Sequence, residues 1–217
     1  MLVNEAFGYT KEGLFGKWKK WLLLIVATFL LTLPLMGYTL RIFRGENPSP
    51  EVENWGTLFI DGIKYLIVGL IYAIPALIVL FLALAPVIAA ASSTSDPAMA
   101  TAAMMAALGT FFVGLLVFII VAFIIGIFSS IGIIRFARTG SMGEAFNFSA
   151  IVETIGKIGW GHYILALIVM MVIIGIVETI CNLIPYAGMV ILILILPFIM
   201  HFQARYLCML YDSAGTE

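Results

Sequence analysis

Charge is scarce in this chain. Lys, Arg, Asp and Glu make up 11% of its 217 residues, against about 25% in soluble domains. With 63% hydrophobic residues and a mean hydropathy of +1.16, too few polar side chains exist to coat a folded chain in water. Hydrocarbon must therefore be the solvent for much of the surface. Eleven basic and twelve acidic residues nearly cancel, to a net charge of -1, which removes any bulk electrostatic case for nucleic acid as a partner. Cysteine and histidine number two each. Cys181 and Cys208 lie in apolar stretches, where a thiol reads as a small core residue rather than half of a disulfide or a metal ligand. His162 and His201 are far apart in sequence, and no HExxH, Cys/His cluster, GxSxG or Walker loop occurs. No metal, cofactor or catalytic residue is expected on these grounds. No basic, apolar and small-residue series opens the chain, so no removable signal peptide is expected either.

What the chain has instead is apolar length. Residues 21–43, 65–91, 104–134, 162–184 and 186–210 form five apolar segments. At about 1.5 Å per residue each can cross roughly 30 Å of hydrocarbon. Prolines inside them are tolerable where neighbouring helices satisfy the freed carbonyls, and the short alternating segments of a β-barrel do not appear. Pro34 and Gly37 interrupt the first segment, which either spans or dips in and returns. Residues 1–20 carry Phe7, Leu14, Phe15 and Trp18 among Lys11, Lys17, Lys19 and Lys20, the pattern of an amphipathic interfacial helix. Pro185 marks a tight turn that makes the last two segments an antiparallel hairpin. The fold class is all-α: a polytopic helical membrane protein with about five transmembrane helices and short interfacial helices. One transmembrane domain covers residues 21–211, and residues 212–217 are a polar tail.

Loop charge orients the helices, because Lys and Arg near span ends stay cytoplasmic. Residues 92–103 and the Pro185 turn contain neither, so they belong outside. Residues 44–64, residues 135–161 and the C-terminus then lie inside, in the cell membrane of a multi-pass protein. Two basic corners resemble each other, GYTLRIFRGE and IGIIRFARTG. Each places two arginines at i, i+3 before an amphipathic stretch and a new apolar helix, which suggests a parallel two-helix repeat.

Few residues invite chemistry. Glu178 is the one acid deep in an apolar run, and Asn182 lies four residues on, on the same helix face. With His201 they form the candidate intramembrane polar site. The blander reading of Glu178 and Asn182 is a satisfied inter-helix hydrogen bond, and that of His201 a structural donor. His162 belongs at an interface beside Trp160 and Tyr163. Arg41, Arg44, Arg135 and Arg138 are candidate contacts to anionic lipid headgroups. Gly126 with Ser130, and Ala98 with Ala102 and Ala106, make small-residue stripes suited to close helix packing within or between chains.

Through GYTLRIFRGE and WGTLFIDGIKYLIVGLIYAIP the chain resembles a group of archaeal and bacterial integral membrane proteins classed only as a domain of unknown function. The marks are Gly37, Tyr38 and Arg41 at the first corner, Trp55, Asp61 and Gly62 at the start of the next helix, Tyr72 and Pro75 within it, and Ala145 and Phe146 after the second corner. The resemblance implies a prokaryotic, mostly archaeal, cell-membrane protein and carries no activity.

The functional expectation is a non-catalytic membrane module that self-associates or binds membrane-protein partners in the lipid bilayer. The alternative is a small-solute or ion transporter or channel using Glu178. A lipid-directed enzyme using loop acids is the weakest of the three.

Overall fold

The computed structural model describes residues 1–92, 96–184 and 187–215. The elements are α1 (Leu2–Leu14), α2 (Trp18–Phe29), α3 (Leu33–Phe43), α4 (Trp55–Ala91), α5 (Pro97–Thr139), a short 3-10 turn (Met142–Phe146), α6 (Phe148–Ile158), α7 (Trp160–Asn182) and α8 (Ala187–Asp212). The described residues contain no strand. They divide into two units, Met1–Val68 with Phe128–Glu217, and Gly69–Ile127.

Among the described residues, four helices are long and apolar enough to cross a membrane: α4, α5, α7 and α8, the last running on to Gly215. The expectation is about five, with residues 21–43 either spanning or re-entrant, and the difference lies in that segment. There α2 ends at Phe29, and Leu31 (φ 56°) and Thr32 (φ 62°) take left-handed conformations before α3 begins. A single straight helix would hold Lys20 and Tyr38 about 27 Å apart. Instead the Lys20 ammonium lies 5.8 Å from the Tyr38 ring centre. The segment therefore folds back on itself, and each half, at about 17 Å, is too short to span. Left-handed backbone at two non-glycine residues costs about 1–3 kcal/mol each. Burial of Leu24 and Ala27 from α2, and of Leu35, Leu40 and Ile42 from α3, offsets it.

Two glycines set how closely α3 and α4 pack. A Cβ on Gly37 would fall 2.0 Å from the Leu58 carbonyl oxygen, and one on Gly62 would fall 1.9 Å from that of Leu33. No side chain larger than hydrogen fits at either crossing point. Beyond the crossing, α4 extends well past its expected start at residue 65, beginning at Trp55. α5 likewise starts at Pro97, seven residues before its apolar run. The Asp96 carboxylate accepts from the amides of Ala98 and Met99 (2.9 and 3.4 Å), which caps that end.

The expected repeat has no uniform structural counterpart. After the second corner an independent helix, α6, forms, with the Asn147 side chain capping its start and Gly159 (φ 91°) ending it. After the first corner no separate interfacial helix appears, because Trp55–Lys64 is the opening of α4 itself.

The Pro185 turn lies outside the described residues. The hairpin expected from it is nevertheless clear at both ends. The Tyr206 hydroxyl donates to the Ala166 carbonyl at 2.9 Å, and an added Gly188 Cβ would meet the Cys181 carbonyl oxygen at 2.1 Å. α7 and α8 are thus antiparallel. Within Gly69–Ile127, α4 and α5 meet through Gly114, whose added Cβ would lie 2.4 Å from the Ala83 Cβ. The stripe at Ala98, Ala102 and Ala106 is exposed, while neighbouring Ala107 is buried.

Candidate functional site

The N-terminal helix is docked, and of the apolar residues in its amphipathic pattern only Leu14 is buried there. α1 buries Ala6, Tyr9, Thr10, Gly13 and Leu14, and packs on α8, while Phe7, Phe15 and Trp18 stay exposed. The buried face carries two hydroxyls because polar groups await it on α8 and on the segment that follows α3.

At the centre is His201, 1% exposed. Its ring stacks between Tyr9 (centres 5.0 Å apart, planes at 28°) and Tyr38 (5.9 Å, 29°). Its Nε2 lies 2.8 Å from the Ser49 hydroxyl and its Nδ1 3.2 Å from that of Thr10. Lys20 donates to both the Ser49 carbonyl (3.2 Å) and its Oγ (2.9 Å). The Tyr38 hydroxyl lies 2.9 Å from Ser49 Oγ and donates to the Pro50 carbonyl at 3.0 Å. The donors fix the proton assignment, with Tyr38 spending its hydroxyl proton on Pro50, so that its 2.9 Å approach to Ser49 carries no proton between the two oxygens. Thr10 donates to the Ala6 carbonyl (2.9 Å), so Nδ1 donates to Thr10, Nε2 accepts from Ser49, and Ser49 accepts from Lys20. Gly13 is required here, since its Cβ would fall 2.9 Å from Ser49 Oγ and 3.0 Å from the histidine ring. The Tyr9 hydroxyl reaches the Glu46 carbonyl (2.8 Å), and the Arg205 guanidinium covers the outer face of the Tyr9 ring at 4.6 Å.

Burial shapes the titration of this cluster. It lowers Lys20 to about 8, against the pull of Glu51, whose carboxylate lies 3.8 Å away. It raises Tyr9 to about 12 and moves Tyr38 in the same direction. An unfolded lysine titrates near 10.4 and an unfolded tyrosine near 10. Between pH 8 and 10 the unfolded chain therefore holds the extra proton, and stability rises with pH. Above pH 10 the tyrosines reverse the sign, because the folded chain then keeps their protons. Thermal unfolding of the detergent-solubilised chain should show a gain on the order of 2 kcal/mol from pH 8 to 10. Lys20→Met should flatten that slope, and an equal slope in the variant would refute the assignment.

The four arginines all find protein partners. Arg41 donates to the carbonyls of Glu51 (3.2 Å) and Glu53 (3.0 Å) and to the Thr57 hydroxyl (2.9 Å). Arg44 pairs with Asp61 at 2.7 Å. Arg135 pairs with Glu144, whose carboxyl it holds below the usual range with help from Asn147. Arg138 donates to the Phe43 carbonyl (2.7 Å) and to Asp212 (2.7 Å), joining α3, α5 and α8.

Glu178 and Asn182 do not meet His201. Both are exposed on α7, where Asn182 Nδ2 donates to the backbone carbonyl of Glu178 (2.9 Å). His162 and Trp160 are both exposed, but Tyr163 is fully buried. The residues that do surround His201 (Tyr9, Thr10, Lys20, Tyr38 and Ser49) are scattered along the chain with no spacing that links them. The sequence singles out only Tyr38, as a mark of the first corner, and Lys20, as one of the basic residues of the N-terminal segment.

No curated protein and no solved structure matches the chain. A family profile, described as "Protein of unknown function (DUF4013)", matches residues 21–208. That range takes in both arginine corners, α4 to α7, and α8 as far as Cys208, though not α1. The match covers most of the sequence, and the chain belongs to this family.

Proposed function

We propose that the chain is a non-catalytic module of an archaeal cell membrane that associates with copies of itself or with partner subunits. The observation that carries this reading is the bareness of α5. Its most apolar stretch is only 6% buried, and Phe112, Val113, Leu116, Ile119 and Ile120 are all exposed. Lipid can cover such a surface, and so can another helix, at little cost in exchanged apolar contact. The non-catalytic part draws support from Ser49. Its hydroxyl already lies within hydrogen-bond distance of Lys20, Tyr38 and His201, and the space beside Gly13 is too small for even a methyl group, which leaves an incoming substrate no approach. Transport through Glu178 draws no such support, since that residue is exposed on α7 and has no bond to the buried polar cluster among the described residues.

Single cysteines at Phe112, Leu116, Ile119 and Ile120, in a chain whose native Cys181 and Cys208 are buried, test the association. Oxidative cross-linking in native membranes should yield dimers or larger adducts, strongest at positions three or four apart. No adduct at any position would sink the reading.

A further inference from the structure

Beside the buried cluster, on the side of Lys20, a cavity of about 520 Å³ is lined by Lys17, Lys19, Lys20, Leu23, Glu51 and Glu53, with Val52. Its volume suits a small-molecule site. One wall is the start of α2 and the other is residues 51–53. The second wall is fixed by Arg41, which holds the carbonyls of Glu51 and Glu53, and by Ser49, which is held by Lys20. The cavity is thus preformed by contacts that use the Lys20 ammonium but not the side chains of Lys17, Lys19 or Glu53.

Three of its five charges are unspent. Lys20 is committed to Ser49 and lies near Glu51, but the ammoniums of Lys17 and Lys19 have no ion pair or hydrogen bond among the described residues, and neither has the carboxylate of Glu53. Lys17 and Lys19 on one wall thus face an unpaired carboxylate on the other. A purely anionic ligand would satisfy the lysines and meet repulsion from Glu51 and Glu53. A cationic one would have the converse difficulty. A ligand with an anion at one end and an ammonium at the other satisfies both walls. Two free ammoniums call for an anion with several oxygens, which favours a phosphate.

We propose that this cavity binds a zwitterionic phosphate ester of the phosphoethanolamine class, its phosphate on Lys17 and Lys19 and its ammonium on Glu53 and Glu51. The same chemistry is offered by a phospholipid headgroup and by a free phosphoethanolamine.

The test uses the full chain, delipidated in a non-ionic detergent. Native mass spectrometry and calorimetry would measure binding of phosphatidylethanolamine, phosphatidylglycerol, free phosphoethanolamine and inorganic phosphate. Phosphatidylethanolamine should bind in preference to phosphatidylglycerol. Lys17→Gln with Lys19→Gln should weaken it about tenfold or more, the size expected when two charge-assisted contacts are lost. Glu53→Gln should erase the preference over phosphatidylglycerol while keeping the fold, since Arg41 uses the Glu53 backbone carbonyl rather than its side chain. Comparable binding of free phosphoethanolamine identifies a soluble ligand, and lipid binding alone identifies a headgroup; either supports the proposal. Absence of binding, an unchanged affinity in the double variant, or phosphatidylglycerol or inorganic phosphate binding as tightly as the zwitterion would overturn it.

Discussion

Gly62→Ala and Gly37→Ala should each unfasten α3 from α4 and lower the stability of the detergent-solubilised chain by about 3 kcal/mol. The reason is steric. Each added methyl would lie about 2 Å from a carbonyl oxygen of the other helix (1.9 Å for Gly62, 2.0 Å for Gly37), well inside contact distance, and the obstacle is backbone rather than a side chain that could swing aside. The helices must separate, which also strains the Arg44–Asp61 pair and the three bonds from Arg41. Gly69→Ala in the same helix is the control. Its Cβ would meet nothing within 4 Å, so the substitution should be neutral or stabilising by up to about 1 kcal/mol. Equal unfolding midpoints for all three variants would refute the crossing.

Ser49→Ala should loosen the docking of α1 and α2, at about 2 kcal/mol. Lys20 would keep the Ser49 carbonyl and Tyr38 would keep the Pro50 carbonyl, but Nε2 of His201 would be left buried without a partner. The asymmetry between losing one partner and losing both gives a sharper test. Adding His201→Phe to Ser49→Ala removes the orphan and keeps a ring between Tyr9 and Tyr38. The double variant should therefore cost less than the sum of the single variants. Limited trypsin digestion reports the local effect, since Lys11, Lys17 and Lys19 lie on the docked segment. Faster cleavage at these sites in Ser49→Ala than in the parent chain is expected. An unchanged rate, together with additive stabilities, would show that Ser49 does not hold the segment.

The helical membrane class and the four long helices were legible because they follow from composition and length, which need no knowledge of neighbours. Residues 21–43 were ambiguous for a definite reason. A spanning helix and a folded-back pair have the same apolar content, and only packing against α4 and α8 makes left-handed backbone at Leu31 and Thr32 tolerable. The arginine corners were visible as charge beside apolar runs. Their partners were not, because Arg138 reaches Asp212 and Phe43 across long stretches of sequence. Glu178 attracted notice as an acid among apolar residues, yet it occupies the exposed side of α7. His201 was recognised without its surroundings.

The sequence by itself determined the solvent: a chain so poor in charge and so rich in long apolar runs has to place helices in hydrocarbon, whatever their arrangement. Only the tertiary structure decided which polar residues work together. Tyr9, Thr10, Lys20, Tyr38, Ser49 and His201 meet because five segments converge, and a buried donor finds its acceptor through space, where no sequence period records the distance.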